Sequence, residues 1–327
     1  MINYLIRRII YIIPTLIAIS IVVFIVINLP PGDFLTSYVN QLRQSGLEVD
    51  ASQVAALERR YGLDRSIVGQ YIIWITNFVQ GDFGLSFQEN RPVIDLIKER
   101  IGFTALIALS TVLFQWIMAI PIGIYSAVKQ YSITDYIFTL GGFIGLAMPN
   151  FLLALIIMYI AYAFFDTSVT GLISSQYMGQ PWDLPKILDM LNNLWVPVVV
   201  IGTAGAAGLI RIMRGQMLDE LGKPYVQTAR AKGLYEFVVV LKHATRIAIN
   251  PLVSTVGWIL PQIIAGGTIV GIVLGLPTLG PLLLRSLRFQ DMFLAGSILM
   301  CQGILIIIGT LISDVLLAIS DPRIRYD

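Results

Sequence analysis

Charge is scarce in this chain. Only 13% of its 327 residues are Asp, Glu, Lys or Arg, and 56% are hydrophobic, whereas a soluble domain carries about 25% charged residues. The formal net charge of +2 leaves no basic surface that would predict nucleic-acid binding. The composition is typical of a polytopic helical membrane protein.

Cysteine and histidine occur once each, which limits the chemistry available to the chain. A single Cys301 excludes an intramolecular disulfide, and we interpret it as a small apolar packing residue. His243 lies in a hydrophilic loop, where a surface or docking role is favoured over catalysis. No Gly-x4-Gly-Lys-Ser/Thr motif is present to hold the phosphates of ATP. We therefore predict no catalytic residue, no metal ligand and no cofactor in this chain.

Long charge-free runs are the main positive feature of the sequence. Six of them contain 21 to 38 residues, and the next longest contain only 16. A hydrocarbon core of about 30 Å requires about 20 helical residues, and a charge at its centre costs about 2.5–3.5 kcal/mol on insertion scales. We predict one transmembrane helix in each window: Ile9–Gly32, Ile101–Val128, Tyr136–Phe165, Met190–Ile210, Ile247–Leu284 and Met292–Ser313.

The first and fifth windows have additional features. The first follows Arg7 and Arg8 but is too long for a signal peptide, so we expect a retained helix. In the fifth, Pro277 and Pro281 break the helix near one end. One span followed by a re-entrant or interfacial apolar segment is expected there.

Lysine and arginine predict the orientation. With a cytoplasmic N-terminus, twelve of them fall inside, and only Lys186, Arg285 and Arg288 fall in short outer loops. Both termini are therefore predicted to be cytoplasmic. The predicted fold is all-α with six transmembrane helices, organised as residues 1–30 (N-terminus and first helix), 31–100 (an extracytoplasmic helical insertion), 101–320 (the core, with helices two to six and a cytoplasmic loop at 211–246) and 321–327 (the tail).

The segment 33–100 is too long for a simple connection. Ala51–Tyr61 reads as a helix closed by Gly62, and Asp64 can cap a second helix that ends before Gly81. A third amphipathic piece, Val93–Arg100, leads into the second span. A cap without ligand contact and a docking surface for an external partner both remain open.

The inner loop is predicted to hold two short helices. Tyr225–Lys232 can form about two turns ended by Gly233 in a left-handed conformation, and Glu236–His243 can form another. Two turns alone are unstable in water, so the first helix needs a partner surface. Anionic lipid could attract its basic residues, whereas Ala229 and Ala231 favour docking against protein.

Small residues recur at helical spacing in two windows. They predict faces for close helix packing rather than a nucleotide-binding loop, because both windows are apolar helices without a preceding strand. The residues are Gly202, Gly205 and Gly208 in the fourth window and Gly267, Gly271 and Gly275 in the fifth.

Residues 225–234 read Tyr-Val-Gln-Thr-Ala-Arg-Ala-Lys-Gly-Leu, and this stretch resembles a known family. It is similar to the coupling loop of ABC-importer permeases, in particular the B-type permease subunit of dipeptide and oligopeptide importers. Further matches cover the whole chain: Pro31-Gly32-Asp33, Tyr61-Gly62-Leu63-Asp64, Gln70-Tyr71, Gly81-Asp82-Phe83-Gly84-Leu85-Ser86, Arg91-Pro92-Val93, Pro149, Phe151, Lys242-His243, Asn250-Pro251, Gly275-Leu276-Pro277-Thr278-Leu279-Gly280 and Asp321-Pro322-Arg323.

The chain departs from the general permease motif Glu-Ala-Ala-x3-Gly ending in Leu-Pro. Aligned on Gly233, the first three positions are Gln227, Thr228 and Ala229, and Thr245-Arg246 stand in the place of Leu-Pro. B-type permeases commonly depart in this way. The resemblance therefore supports a coupling helix without a carboxylate at position 227.

The resemblance implies a type I, MetI-like permease of a bacterial or archaeal cytoplasmic membrane. It implies a second, C-type permease, two ABC ATPase subunits that carry ATP and Mg, and an extracytoplasmic solute-binding protein. The coupling helix would comprise Tyr225, Val226, Gln227, Thr228, Ala229, Arg230, Ala231, Lys232 and Gly233. The residues that line the substrate pathway are not indicated by the sequence.

Peptides, oligosaccharides and metal chelates all remain possible solutes. The segments 177–182 and 321–326 resemble the branch that includes sugar importers. An ion-coupled carrier acting through Asp314 and an intramembrane enzyme are disfavoured, because neither a second buried carboxylate nor a nucleophile–base pair is evident in the windows.

Overall fold

The computed structural model describes residues 2–29, 65–86 and 88–320. Within these residues the chain is helical except for one two-stranded hairpin and the connecting loops. The helices are α1 (Ile2–Asn28), α2 (Ile67–Val79), α3 (Val93–Val128), α4 (Ile133–Ala147), α5 (Asn150–Phe165), α6 (Leu184–Asn193), α7 (Trp195–Leu221), α8 (Pro224–Ala231), α9 (Glu236–Val238), α10 (Thr245–Ala248), α11 (Asn250–Val273), α12 (Leu279–Arg288) and α13 (Met292–Ser320). A 3-10 turn at Ser175–Tyr177 and a π-helix at Val239–Ala244 complete the helical elements.

Five helical stretches are long and apolar enough to cross a membrane. They are Ile10–Asn28, Val93–Val128, Leu184–Leu221, Asn250–Val273 and Met292–Leu316. The pair α4 and α5 is long and apolar enough only when the two helices are taken together, and it is bent by 105°. The described residues therefore hold five candidate spans, or six if the bent pair is one broken span.

The third charge-free window is not one straight helix, contrary to the simplest expectation. Met148 has extended backbone (ψ 122°) and Pro149 precedes α5 as its N-cap. A residue before proline is disfavoured in the α conformation because the proline ring crowds its backbone, so the helix ends there and restarts. In the fifth window α11 is one candidate span, Gly275 follows it at φ +65°, and α12 is a separate helix whose first turn contains Pro281.

The chain folds into two compact units. Among the described residues, the first comprises 2–5, 103–277 and 308–320, and the second comprises 6–29, 65–86, 88–102 and 278–307. Helix α7 is the centre of the first unit, where it contacts α4, α5 and α11. Leu209, Met213 and Met217 on α7 are at most 1% exposed.

The second unit is held together by aromatic packing and by a buried carboxylate. Phe24 of α1 packs edge-on against Tyr71 of α2, with ring centroids 5.4 Å apart. The hairpin pairs strand β1 (Leu85–Ser86) with strand β2 (Arg91–Pro92). The Ser86 hydroxyl donates to the Asp291 carboxylate at 2.6 Å, and Asp291 also accepts from the Leu294 amide at the start of α13.

The described part of the segment predicted as an extracytoplasmic insertion, residues 65–86 and 88–100, has features that the sequence did not indicate. The predicted third piece, Val93–Arg100, is helical and leads into the second candidate span without a break, since Val93 begins the continuous helix α3. The hairpin is a small exception to the expected all-α fold. Ser66 caps α2 by accepting from the Gly69 amide. The predicted helix Ala51–Tyr61, and Asp64 itself, lie outside the described residues.

Candidate functional site

A short helix, α8, forms in the predicted inner loop. Pro224 occupies its first turn, where a missing N–H costs nothing because that group has no partner within the helix. The helix ends at Ala231, and Gly233 follows at φ +77°. The boundaries expected from the sequence were correct to within one residue at each end.

One side of α8 is anchored on the chain itself. Val226 is fully buried and Ala229 is 5% exposed, and these residues are three apart, which places them on the same face. The helix contacts α7 and the π-helix Val239–Ala244. Ala229 therefore packs against protein, as its small size indicated, and the surface it packs on belongs to this chain. Ala231 is exposed.

The π-helix connects α8 to the next long helix. The sequence predicted a short helix at Glu236–His243, and the structure extends it as α9, the π-helix and α10 up to Ala248. Val239, Ala244 and Ala248 are fully buried in this segment, and His243 is half-buried. The Thr245 hydroxyl donates to the Val240 carbonyl at 3.0 Å and lies 3.7 Å from the Met217 sulfur of α7. A short π-helical stretch within a longer helical segment is frequent at functional sites.

Two polar contacts fix the ends of α8. Arg230 donates to both carboxylate oxygens of Glu236, at 3.0 and 2.6 Å. These hydrogen bonds lower the pKa of Glu236 and raise the pKa of Arg230. At the other end Tyr225 donates to the Glu220 carboxylate. Burial, followed by that carboxylate, raises the pKa of Tyr225. Both contacts therefore persist at neutral pH.

An ion pair with a buried carboxylate joins α7 to α4. Arg214 donates through Nε to Asp135 Oδ1 at 3.1 Å and through its terminal nitrogen to Oδ2 at 2.9 Å. Asp135 is 2% exposed and also accepts from the Tyr131 amide. This bidentate pair joins the first turn of α4 to α7. In the sequence Asp135 only bounded a charge-free window and Arg214 only counted as an inner positive charge, although an acid at the start of such a window was a usable signal.

Four long helices surround a groove with amide side chains, which we call the amide groove. Its volume is about 250 Å³. Helices α3, α5, α7 and α11 supply one polar side chain each, and small residues of α7 open the space between them. Its lining is Gln115, Leu146, Asn150, Ile201, Ala204, Gly205, Gly208, Leu209, Arg211, Ile212, Trp258, Ile259, Gln262 and Ile263. Counting charges along the sequence missed this groove, because amides do not interrupt a charge-free window.

The six glycines singled out in the sequence have different surroundings. A Cβ on Gly202 would lie 2.6 Å from Phe114, and one on Gly205 would overlap the Gln115 amide, so both lie close against α3 side chains. Gly208 lines the amide groove. A Cβ on Gly267 would be 3.6 Å from Ile201, and Gly271 is buried in α11.

Gly275 lies beyond the end of α11, and its positive φ terminates that helix. A further close approach, which the sequence did not indicate, occurs at Gly123 of α3. A Cβ there would lie 2.6 Å from Met213 on α7. Among the residues the structure describes, no group of three His, Cys, Asp or Glu side chains is arranged to hold a metal ion.

Span-length helices, a short anchored helix between two of them and an amide groove define a membrane transport component. Residues 119–326 match the family described as binding-protein-dependent transport system inner membrane component. Residues 1–110 match the N-terminal region of the same kind of membrane component. The chain belongs to this family.

Curated relatives agree over the full length. The oligopeptide transport system permease protein AppB of Bacillus subtilis is 34% identical over 327 residues, covering 99% of each chain. A putative peptide permease protein of Brucella ovis is 32% identical over 326 residues, again 99% of each. The glutathione transport system permease protein GsiC of Escherichia coli K12 is 32% identical over 327 residues, 100% of each.

These findings confirm the resemblance to B-type permeases. The chain is a multi-pass protein of the cytoplasmic membrane and a permease subunit of an ABC importer. It is a transporter component rather than an enzyme.

Proposed function

We propose that this permease passes peptides and that α8 transmits the conformational change of an ATPase subunit to the membrane helices. The proposal includes six membrane crossings, with α4 and α5 as one broken crossing, and cytoplasmic N- and C-termini. It also includes a second, C-type permease, two ATPase subunits that hold ATP and Mg, and an extracytoplasmic solute-binding protein. In this arrangement residues 211–246 face the cytoplasm and the insertion 31–100 faces outward.

The observation that carries the coupling role is the two-sided character of α8. Val226 and Ala229 fix one face of α8 to α7 and to the π-helix. Gln227, Thr228 and Ala231 remain exposed on the other side. A helix held in this way moves together with its support, because buried contacts rather than a free loop connect them. A partner seated on the exposed face can therefore displace α7 and, through α10, the start of α11.

Names of relatives favour peptides over sugars as the solute. AppB and the Brucella ovis protein are named as oligopeptide and peptide permeases, and GsiC as a glutathione permease. All three solutes are peptides with at least one free carboxylate. The sequence likeness to sugar importers at 177–182 has no counterpart among these three names, so oligosaccharide is the second candidate.

A photo-cross-linking experiment tests the coupling role. Ala231→Cys in a Cys301→Ala background gives one thiol on the exposed side of α8, to which a benzophenone maleimide is attached in the complete complex. We expect ultraviolet light to join the chain to an ATPase subunit and to stop ATP-driven uptake. Lys129→Cys, an exposed position in another predicted inner loop, is the matched control and should give little of that product.

The result can also refute the proposal. Adducts from the thiol at position 231 to lipid alone, in a complex that still transports with ATP, would mean that α8 lies on the membrane surface. The same adduct yield from positions 129 and 231 would remove the assignment of the docking face to α8.

A further inference from the structure

The amide groove has polar side chains where the surrounding helices are otherwise apolar. Gln115, Asn150, Arg211 and Gln262 come from four different helices and line one space. Trp258 lies one helical turn before Gln262 on α11, and both are exposed within this chain. Several convergent polar groups in an otherwise apolar concavity are the usual composition of a small-molecule site.

Gln115 supplies the observation that points to a ligand. It is 2% exposed, and among the residues that the structure describes its Oε1 atom has no hydrogen-bond partner. Gly205 leaves room for its amide, since a Cβ at that position would overlap it. An amide retained only to join two helices would be hydrogen-bonded across them. A buried acceptor without a partner carries a desolvation penalty, so its retention requires another benefit.

The charge of the lining restricts which solute fits. Among the described residues that line the groove, Arg211 is the one charged side chain, and neither Asp nor Glu is present. Amides donate and accept hydrogen bonds, so they suit peptide groups, while a guanidinium binds a carboxylate through two parallel hydrogen bonds.

We propose that the amide groove is a transit site for a solute with a hydrogen-bonding body and an anionic group, and that the anionic group pairs with Arg211. This inference rests on the proposed function and narrows its substrate class to peptides with a free carboxylate. Gln115, Asn150 and Gln262 exchange hydrogen bonds with the body of the solute. Ala204, Gly205 and Gly208 provide the space in which it moves.

Charge-selective thiol labelling tests the groove without knowledge of the natural solute. Ala204→Cys in a Cys301→Ala background is treated, in the complete complex, with an anionic sulfonatoethyl methanethiosulfonate and with its cationic trimethylammonioethyl analogue. We expect the anionic reagent to react about tenfold faster, because a cleft with one sign of charge concentrates the opposite ion. Leu140→Cys is the control, because Leu140 does not line the groove and, although it is 62% exposed within this chain, it lies on α4 in a proposed membrane crossing. Charged reagents do not enter the hydrocarbon core, so this thiol should react with neither.

Arg211→Gln in the Ala204→Cys chain should abolish the tenfold preference while leaving the thiol reactive. Failure of both reagents to modify the thiol at position 204, or a preference for the anionic reagent that survives Arg211→Gln, would overturn the inference. ATP-dependent uptake by the same complex separates this failure from a failure of the proposed function. A transporting complex in which the thiol at position 204 is unreactive loses the groove assignment only.

Gln115→Met distinguishes transit from packing. Methionine fills a similar volume without the unpaired oxygen, so the melting temperature should be unchanged or higher. We expect uptake of trialanine, presented with the cognate binding protein, to fall about tenfold, which corresponds to about 1.4 kcal/mol. Unchanged uptake would overturn the inference. A lowered melting temperature would equally do so, because it would assign Gln115 a structural role.

Discussion

A buried carboxylate needs a specific reason to remain in a membrane protein, and Asp135 has one in Arg214. The pair is bidentate, and the Tyr131 amide occupies a further lone pair of the carboxylate. The Arg214 side chain is 27% exposed and the Asp135 side chain only 3%. Removing the acid would therefore leave a partly buried guanidinium without its counter-ion.

Asp135→Asn should lower the free energy of unfolding of the detergent-solubilised complex by about 2–3 kcal/mol. This is below the ~3–5 kcal/mol of a fully buried pair because solvent reaches part of Arg214. The effect is measured as a lowered melting temperature. Glu99→Gln is the matched control, since the Arg91–Glu99 pair is about half exposed and should change stability by less than about 1 kcal/mol. Equal effects of the two substitutions would contradict the buried-pair argument.

The sequence predicted the helices better than it predicted the contacts between side chains of different helices. The position of α8 followed from Pro224 and Gly233, because both act locally on the backbone. The partner of Asp135 and the surroundings of Gln115 could not be inferred, since they depend on which face of α7 meets α3 and α4. Ala229 illustrates the same limit: its size indicated close packing, but its partner surface belongs to this chain.

At the scale of elements, Gly233 sets the end of the coupling segment. It adopts φ +77°, and a Cβ added there meets no atom within 4 Å. A substitution at this position would therefore act through backbone conformation alone. The adjoining ion pair of Arg230 and Glu236 spans this turn, so a change of backbone at Gly233 alters the orientation of α8 relative to α9.

Gly233→Val should reduce the solute transported per ATP hydrolysed, because a β-branched residue in the left-handed conformation costs at least about 1–2 kcal/mol. Gly233→Asn is the matched control, since asparagine tolerates positive φ, and it should retain most of the coupling. Uptake and ATP hydrolysis are measured in the same proteoliposomes. If valine and asparagine behaved alike, the turn conformation would not contribute to coupling.

The break between α4 and α5 shows what a hydropathy window cannot describe. Charge-free length located the apolar segment correctly, but Pro149 turns the chain by 105° within it. A proline in an apolar run was visible in the sequence. Its consequence depends on whether neighbouring helices accommodate a kink or a full restart, and that is a property of packing.

For the whole molecule, the family assignment and the groove constrain the transport mechanism together. An importer permease has no ATP-binding motif of its own, so its cycle depends on partner subunits, whereas an ion-driven carrier is complete in one chain. The energy source of uptake, ATP or an ion gradient, therefore distinguishes an importer permease from an ion-driven carrier most directly. The groove proposal concerns the solute instead, because the proposed site, with Arg211 as its charged lining residue, would favour a carboxylate-bearing solute over a neutral sugar.

Uptake into proteoliposomes that contain the complete complex should require ATP, persist when an uncoupler collapses ion gradients, and stop when the ATPase subunits are omitted. Binding protein loaded with a peptide, such as trialanine, should raise ATP hydrolysis more than binding protein incubated with maltotriose. Stimulation by maltotriose and not by the peptide would refute the proposed substrate class while leaving the importer assignment in place. Uptake without the ATPases that disappears with the uncoupler would instead identify an ion-coupled carrier, since only an ion gradient could then drive accumulation.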